Sequence, residues 1–142
     1  MRSSIRAAAP LLLLAAACGS VPPEGAVRIE RALPEQARAL QGDPVARATV
    51  HDDDYASVQL IRVTGPIAPH RHLESEEIVY LVSGEGVLHL RDGDRPLQAG
   101  DLAVIPRDTP HGFTPTGPEP AVILSTFVPR FVAGDRVLEP ER

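Results

Sequence analysis

The chain has 142 residues, one cysteine and 14 basic residues, all arginine, against 19 acidic ones, for a net charge of −5. Without lysine there is no Schiff-base chemistry and no phosphate-loop lysine. One cysteine forms neither an internal disulfide nor a thiolate zinc cage, and an acidic balance without basic runs argues against a nucleic-acid partner. At 43% hydrophobic, with 15 prolines and 11 glycines, the composition fits one globular domain of short strands and turns rather than long helices.

Arg2 and Arg6 precede an apolar run from Ala7 to Ala17, interrupted only by Pro10. A charged start, an apolar stretch of roughly 7–15 residues and small residues at its end describe a secretory signal over residues 1–17. The run is shorter than the ~20 residues a membrane span needs. Its end, Leu14-Ala15-Ala16-Ala17-Cys18, resembles the lipobox of bacterial lipoproteins, in which the cysteine is lipidated and becomes the first residue. Ordinary cleavage near Ala17, leaving a free thiol at Cys18, is the alternative. Gly19 and Ser20 follow where an Asp would retain the protein, so this resemblance implies the outer-membrane side of the cell envelope. Membrane contact would then be through the lipid alone, and more than one acyl chain makes such attachment stable.

Gly19 to Gly25 reads as a tether, so residues 18–26 carry the anchor and 27–142 form the single domain. Val27-Arg28-Ile29 is expected as a short N-terminal edge strand, the natural seam for a homodimer. Pro34 to Leu40 is expected as one short helix, with Pro34 in its first turn and Gly42 beyond its end. After Pro44 the period changes to short apolar or alternating runs: 45–50, 56–63, 78–82, 87–90, 102–105 and 121–127. Turn residues separate them, among them Asp52-Asp53-Asp54, Gly84, Asp92-Gly93-Asp94 and Gly100-Asp101. At least six strands at this spacing predict an all-β sandwich or barrel.

The histidines carry the chemistry. His70 and His72 stand at i and i+2, and on a strand those positions share one face. Glu77 opens the next strand, and His111 follows Pro106 and Pro110. Three imidazoles and a carboxylate are suitable ligands for a first-row divalent metal. Of the three nearby acids, Glu74, Glu76 and Glu77, strand alternation lets only one of the adjacent pair face inward, and Glu77 stands six residues before Gly84.

The order Gly65, His70-x-His72, Glu77, Gly84, then Gly100, Pro106, His111 resembles the two motifs of the cupin superfamily, over residues 65–115. The resemblance implies a jelly-roll β-barrel (a double-stranded β-helix) holding one divalent metal. It implies His70, His72, Glu77 and His111 as the ligands, with iron, manganese, nickel or zinc all open. The sequence departs from the pattern at Asp108, where the second motif has Gly, and at Pro115, where it has Asn. Four protein ligands leave two positions of an octahedral ion open for a small molecule.

Other residues have less pointed readings. His51 belongs to an acidic turn. His89 is either a cavity acid–base group or a surface histidine. Arg62 and Arg107 are either clamps for an anionic substrate or solvated rim charges. Tyr80, three after Glu77, faces outward and would sit in a dimer interface, whereas Phe113, Phe127 and Phe131 line the core or cavity. Two functions follow from the resemblance. One is a metal-dependent enzyme acting on a small organic molecule, of dioxygenase, decarboxylase or isomerase type. The other is a module that binds or senses a small sugar or organic acid without turnover. Fold alone does not choose between them.

Overall fold

The structure, a computed structural model, describes residues 27–140. The signal, lipidation and tether assignments for residues 1–26 lie outside the described residues. One helix, α1 (Leu33–Ala39), precedes ten strands. They are β1 (Val45–Asp52), β2 (Ser57–Val63), β3 (Ile67–His72), β4 (Glu76–Ser83), β5 (Glu85–Leu90), β6 (Gly93–Gln98), β7 (Leu102–Ile105), β8 (His111–Pro115), β9 (Ala121–Val128) and β10 (Arg136–Leu138). Two five-stranded sheets, in the orders β1-β2-β9-β4-β7 and β10-β3-β8-β5-β6, pack face to face. Every pairing is antiparallel. This is the expected all-β jelly roll, with one short helix.

Alternation explains the layers. Along β2, Ile61 and Val63 face the other sheet and join Val79, Leu81, Leu88, Ile105, Phe113 and Ile123 in the core between the sheets. Leu60 faces the other way and packs with Val122 against Ala37, the buried residue of α1. The helix is thus a patch over the outside of the first sheet. It starts from Ala32 in a left-handed conformation and carries Pro34 in its first turn. Proline is favoured there because the first N–H groups have no helical partner.

Two glycines are required sterically. Gly84, between β4 and β5, has φ +81, and a Cβ on it would lie 2.8 Å from Ala121 Cα. A Cβ on Gly86 would sit 2.2 Å from the Phe113 ring. One expectation fails. Residues 27–29 form no strand: Val27 is 90% and Ile29 63% exposed, and no sheet edge takes up their backbone. Arg28 instead ties the segment to the β1 edge, its guanidinium donating to the Val50 carbonyl and pairing with Glu30 at 3.0 Å. A dimer seam built from that strand therefore has no strand to build on. Among the described residues no helix is long and apolar enough to cross a membrane.

Candidate metal centre

The four motif residues converge from both sheets. β3 supplies His70 and His72, and β8 supplies His111, whose Cα stands directly opposite that of His70. Glu77 comes from β4 in the facing sheet, where it pairs with Phe127 and Ile105. Glu76 points away and is only half-buried, so the choice among the three acids falls as alternation requires. All four residues are buried, and one ligand atom from each lies within 4.8 Å of the others.

The imidazoles are turned the same way. Nδ1 of His70 donates to the Ala68 carbonyl at 2.9 Å, and Nδ1 of His111 to the Thr109 carbonyl at 2.8 Å. Nδ1 of His72 meets the Asp135 carboxylate at 3.0 Å. Carbonyl and carboxylate oxygens only accept, so each Nδ1 carries a hydrogen and each Nε2 is left to face the centre. Nε2 of His111 and of His72 stand 3.0 and 3.5 Å from the same Glu77 oxygen. Ligands bound at ~2.0–2.2 Å around one octahedral ion lie about 3 Å apart when adjacent and about 4 Å when opposite, so this donor set fits a divalent metal. Nitrogen and oxygen donors without thiolate suit iron, manganese, nickel or zinc.

Electrostatics favour ligation. Burial works to raise the Glu77 carboxyl pKa, but hydrogen bonds from His111 and His72 overcome it and hold the group well below the carboxylate range. Burial, reinforced by the His111 charge, pushes His70 down to about 4. At neutral pH the pocket therefore offers one anion and at least one neutral imidazole.

Asp135, which the sequence reading did not single out, is part of this centre. It is buried, accepts the Glu74 N–H at 2.6 Å through its second oxygen, and so holds His72 by a fixed carboxylate. Burial works to raise its pKa, but the Glu74 and His72 hydrogen bonds leave it below the ordinary value. Such outer partners set tautomer and ring orientation in metal sites. Phe127 and Phe131 close the far side of His72, edge-on at centroid distances of 5.0 and 5.5 Å.

Beside the four residues opens a cavity of 230 Å³, lined by apolar side chains and by Arg47, Gln59, Ser125 and Arg136. Phe113, Phe127 and Phe131 all line it, as expected. Three residues that had two readings each take the outward one. His89 lies on the outer face of β5, with Nδ1 2.9 Å from Asp94 and Nε2 2.9 Å from Thr114, so it is no cavity acid or base. Arg62 lies over a surface groove near α1, and Arg107 is exposed on the turn after β7, so neither clamps anything in the cavity. His51 faces Asp53 at 3.1 Å in the acidic turn, as read.

A small double-stranded β-helix with a buried His/Glu cluster between its sheets is the class these observations define. The cupin domain family matches residues 57–127, and the chain belongs to that family. It is similar to protein SchB of Streptomyces halstedii, 36% identical over 80 residues, which cover 56% of each chain. The match therefore spans just over half of that relative. Among solved structures it resembles an uncharacterised conserved protein with a double-stranded β-helix domain from Klebsiella pneumoniae (25% identity, TM-score 0.68, covering 82% of this chain and 100% of that one). A variant of Streptomyces Pac13 with uridine shares the fold at 20% identity, with a TM-score of 0.63 over 80% of this chain and 92% of that one.

Proposed function

We propose that the protein is an envelope-anchored cupin that holds one divalent metal through His70, His72, Glu77 and His111 and acts on a small organic molecule in the adjoining cavity. The observation that carries this reading is the shared orientation of the three imidazoles, each with Nδ1 tied to an oxygen acceptor, so that Nε2 is the nitrogen left for the buried four-residue cluster. A bound ion would supply Lewis acidity to a ligand oxygen. The chain's own part is to hold three imidazoles and one carboxylate in a dry pocket, with the rings fixed by Ala68, Thr109 and Asp135 and with bulk water kept off one side by Phe127 and Phe131. Elemental analysis of purified protein, followed by a turnover screen over metabolite mixtures, tests it. One equivalent of metal that disappears in His111→Ala, together with consumption of a compound by wild type only, is the expected result.

A specific observation favours the non-catalytic alternative as a second reading. Among the described residues, the titratable groups lining the cavity are the four motif residues and two arginines, with no further acid or base. A metal-loaded protein that binds a compound stoichiometrically without consuming it would decide for that alternative.

Two further parts of the proposal rest on other features. The lipobox-like Leu14–Cys18 run supports lipidation at Cys18 and an outer-membrane address; Cys18→Ser should move the protein from the detergent phase to the soluble fraction. Exposed Tyr80, Leu102 and Val104 on one outer sheet face support a homodimer, for sedimentation equilibrium to test.

A further inference from the structure

The geometry points to a small carboxylic acid as the molecule the cavity takes, its carboxylate held by a pair of guanidinium groups, Arg47 of β1 and Arg136 of β10. This rests on the cavity reading above and narrows it to a chemical class.

Register places both side chains. Arg136 stands opposite His72 across the β10–β3 pair, so it shares the inward face of that ligand. Arg47 stands opposite Ile61, a cavity residue, across the β1–β2 pair. β1 and β10 are edge strands of different sheets, so the two arginines reach the cavity from its two walls. Neither has a carboxylate partner. Arg28, Arg38, Arg71, Arg95 and Arg130 each pair with an acid at the surface, whereas Arg47 and Arg136 make no ion pair or hydrogen bond among the described residues. Burial and the nearby Arg47 charge both depress the Arg136 pKa, with the Glu77 charge opposing them. Two cations near one cavity, with the buried Glu77 charge alone to offset them, are relieved by a ligand that supplies a further anion. The planar guanidinium fork matches a carboxylate in two parallel hydrogen bonds.

The rest of the cavity limits the remainder of the ligand. At 230 Å³ it is smaller than the ~300–1,000 Å³ typical of pockets for drug-sized molecules, so the acid has a short carbon skeleton. Ser125 is 1% exposed, lines the cavity and lies near enough to Glu77 for its hydroxyl to help hold that carboxyl low. Gln59 stands opposite it across the β2–β9 pair. Gln59 and Ser125 are the uncharged polar side chains that a ligand would meet in the cavity.

The test is calorimetric titration of the full chain, manganese-loaded and EDTA-treated, with malonate, succinate, their neutral diamides and inorganic phosphate. The acids should bind at least thirtyfold more tightly than the diamides. Arg47→Gln and Arg136→Gln should each weaken acid binding tenfold or more, without weakening manganese binding in a separate titration. Equal binding of acids and diamides, unchanged acid binding in the variants, phosphate binding in place of both acids, or no binding at all would each overturn the inference. Should Arg136→Gln fail to fold, Arg47→Gln, at an exposed edge-strand position, decides alone. Manganese binding without acid binding sinks the clamp and leaves the metal reading intact. Arg-dependent acid binding to a protein that takes up no manganese does the reverse.

Discussion

His111 and His89 occupy neighbouring strands of one sheet. His111 pairs with Leu90, the residue after His89, and His89 pairs with Gly112, the residue after His111. One step along the chain separates their roles. His111 faces inward, is 6% exposed, and reaches Glu77. His89 faces outward and bridges Asp94 and Thr114 at the surface. The same division runs through His70-Arg71-His72, where the two imidazoles turn in and Arg71 turns out to pair with Asp108 and Glu139 at 3.1 and 3.0 Å. Residue type names the possible chemistry here, but the pleat decides which side of the sheet receives it.

The sharpest way to break this contrast is to remove inner and outer histidines separately. His70→Ala, His72→Ala, His111→Ala and Glu77→Gln should each weaken manganese or iron binding by more than a hundredfold. His89→Ala and His51→Ala should leave it within twofold, as read by competition with a chromogenic chelator. If an outer substitution costs as much as an inner one, the division between the faces fails.

The second contrast concerns pH in metal-free protein. The His70 pKa is about 4 in the folded chain against ~6.5 unfolded, so the unfolded state binds more protons between those values. Stability contributed by neutral His70 is complete above about pH 6.5 and is lost as pH falls toward 4, by an amount on the order of 3 kcal/mol. Glu77, with its pKa depressed, adds stability that is present above the unfolded carboxylate value and is lost at still lower pH. Urea melts at pH 7 and pH 4.5 should show the drop in wild type and in His89→Ala, but a much smaller one in His70→Ala.

Much of the inner face could be read from the sequence, and the reasons are local. His70, His72, Glu77 and His111 lie at fixed distances from the turn glycines, and the resemblance of that order to the cupin motifs gathered them. The strands with alternating apolar residues, β2, β4 and β9, were equally plain. β3, β6, β8 and β10 were not, because they carry His, Pro, Gly, Asp and Arg where a strand usually shows Val or Ile. Three of these, β3, β8 and β10, turn polar side chains toward the cavity, and a polar inward face erases the apolar period. Arg47, Arg136 and Asp135 escaped for a related reason. Their roles depend on which edge strand or loop folds over the mouth of the barrel, and no nearby spacing records that. Arg62 and Arg107, read as either anion clamps or solvated rim charges, lie outside the cavity, and the arginines that line it are two others.

Asp135 offers an intermediate case, a residue that touches only a ligand's far side. Asp135→Asn keeps the shape but weakens the hold on Nδ1 of His72, and metal affinity should fall about 10–100-fold. His89 has an analogous carboxylate in Asp94, and Asp94→Asn should leave metal affinity unchanged. A loss confined to Asp135→Asn would show that the carboxylate matters through the ring it orients.

The smallest expected effect separates backbone from side chain at Asp108. This residue stands where the family's motif has glycine, and its φ of +58 is the left-handed conformation that glycine adopts without cost. Aspartate tolerates that region better than most residues, and here its N–H also bonds the His72 carbonyl while its carboxylate meets Arg71. Asp108→Gly removes a partly exposed ion pair worth about 0–1 kcal/mol and relieves backbone strain of similar size, so the melting temperature should barely move. Asp108→Ala loses the ion pair and bears more left-handed strain than aspartate does, at a combined cost of about 1–2 kcal/mol. If Asp108→Gly is the more damaging of the two, the ion pair with Arg71 outweighs the backbone, and the turn before His111 is held by its side chains.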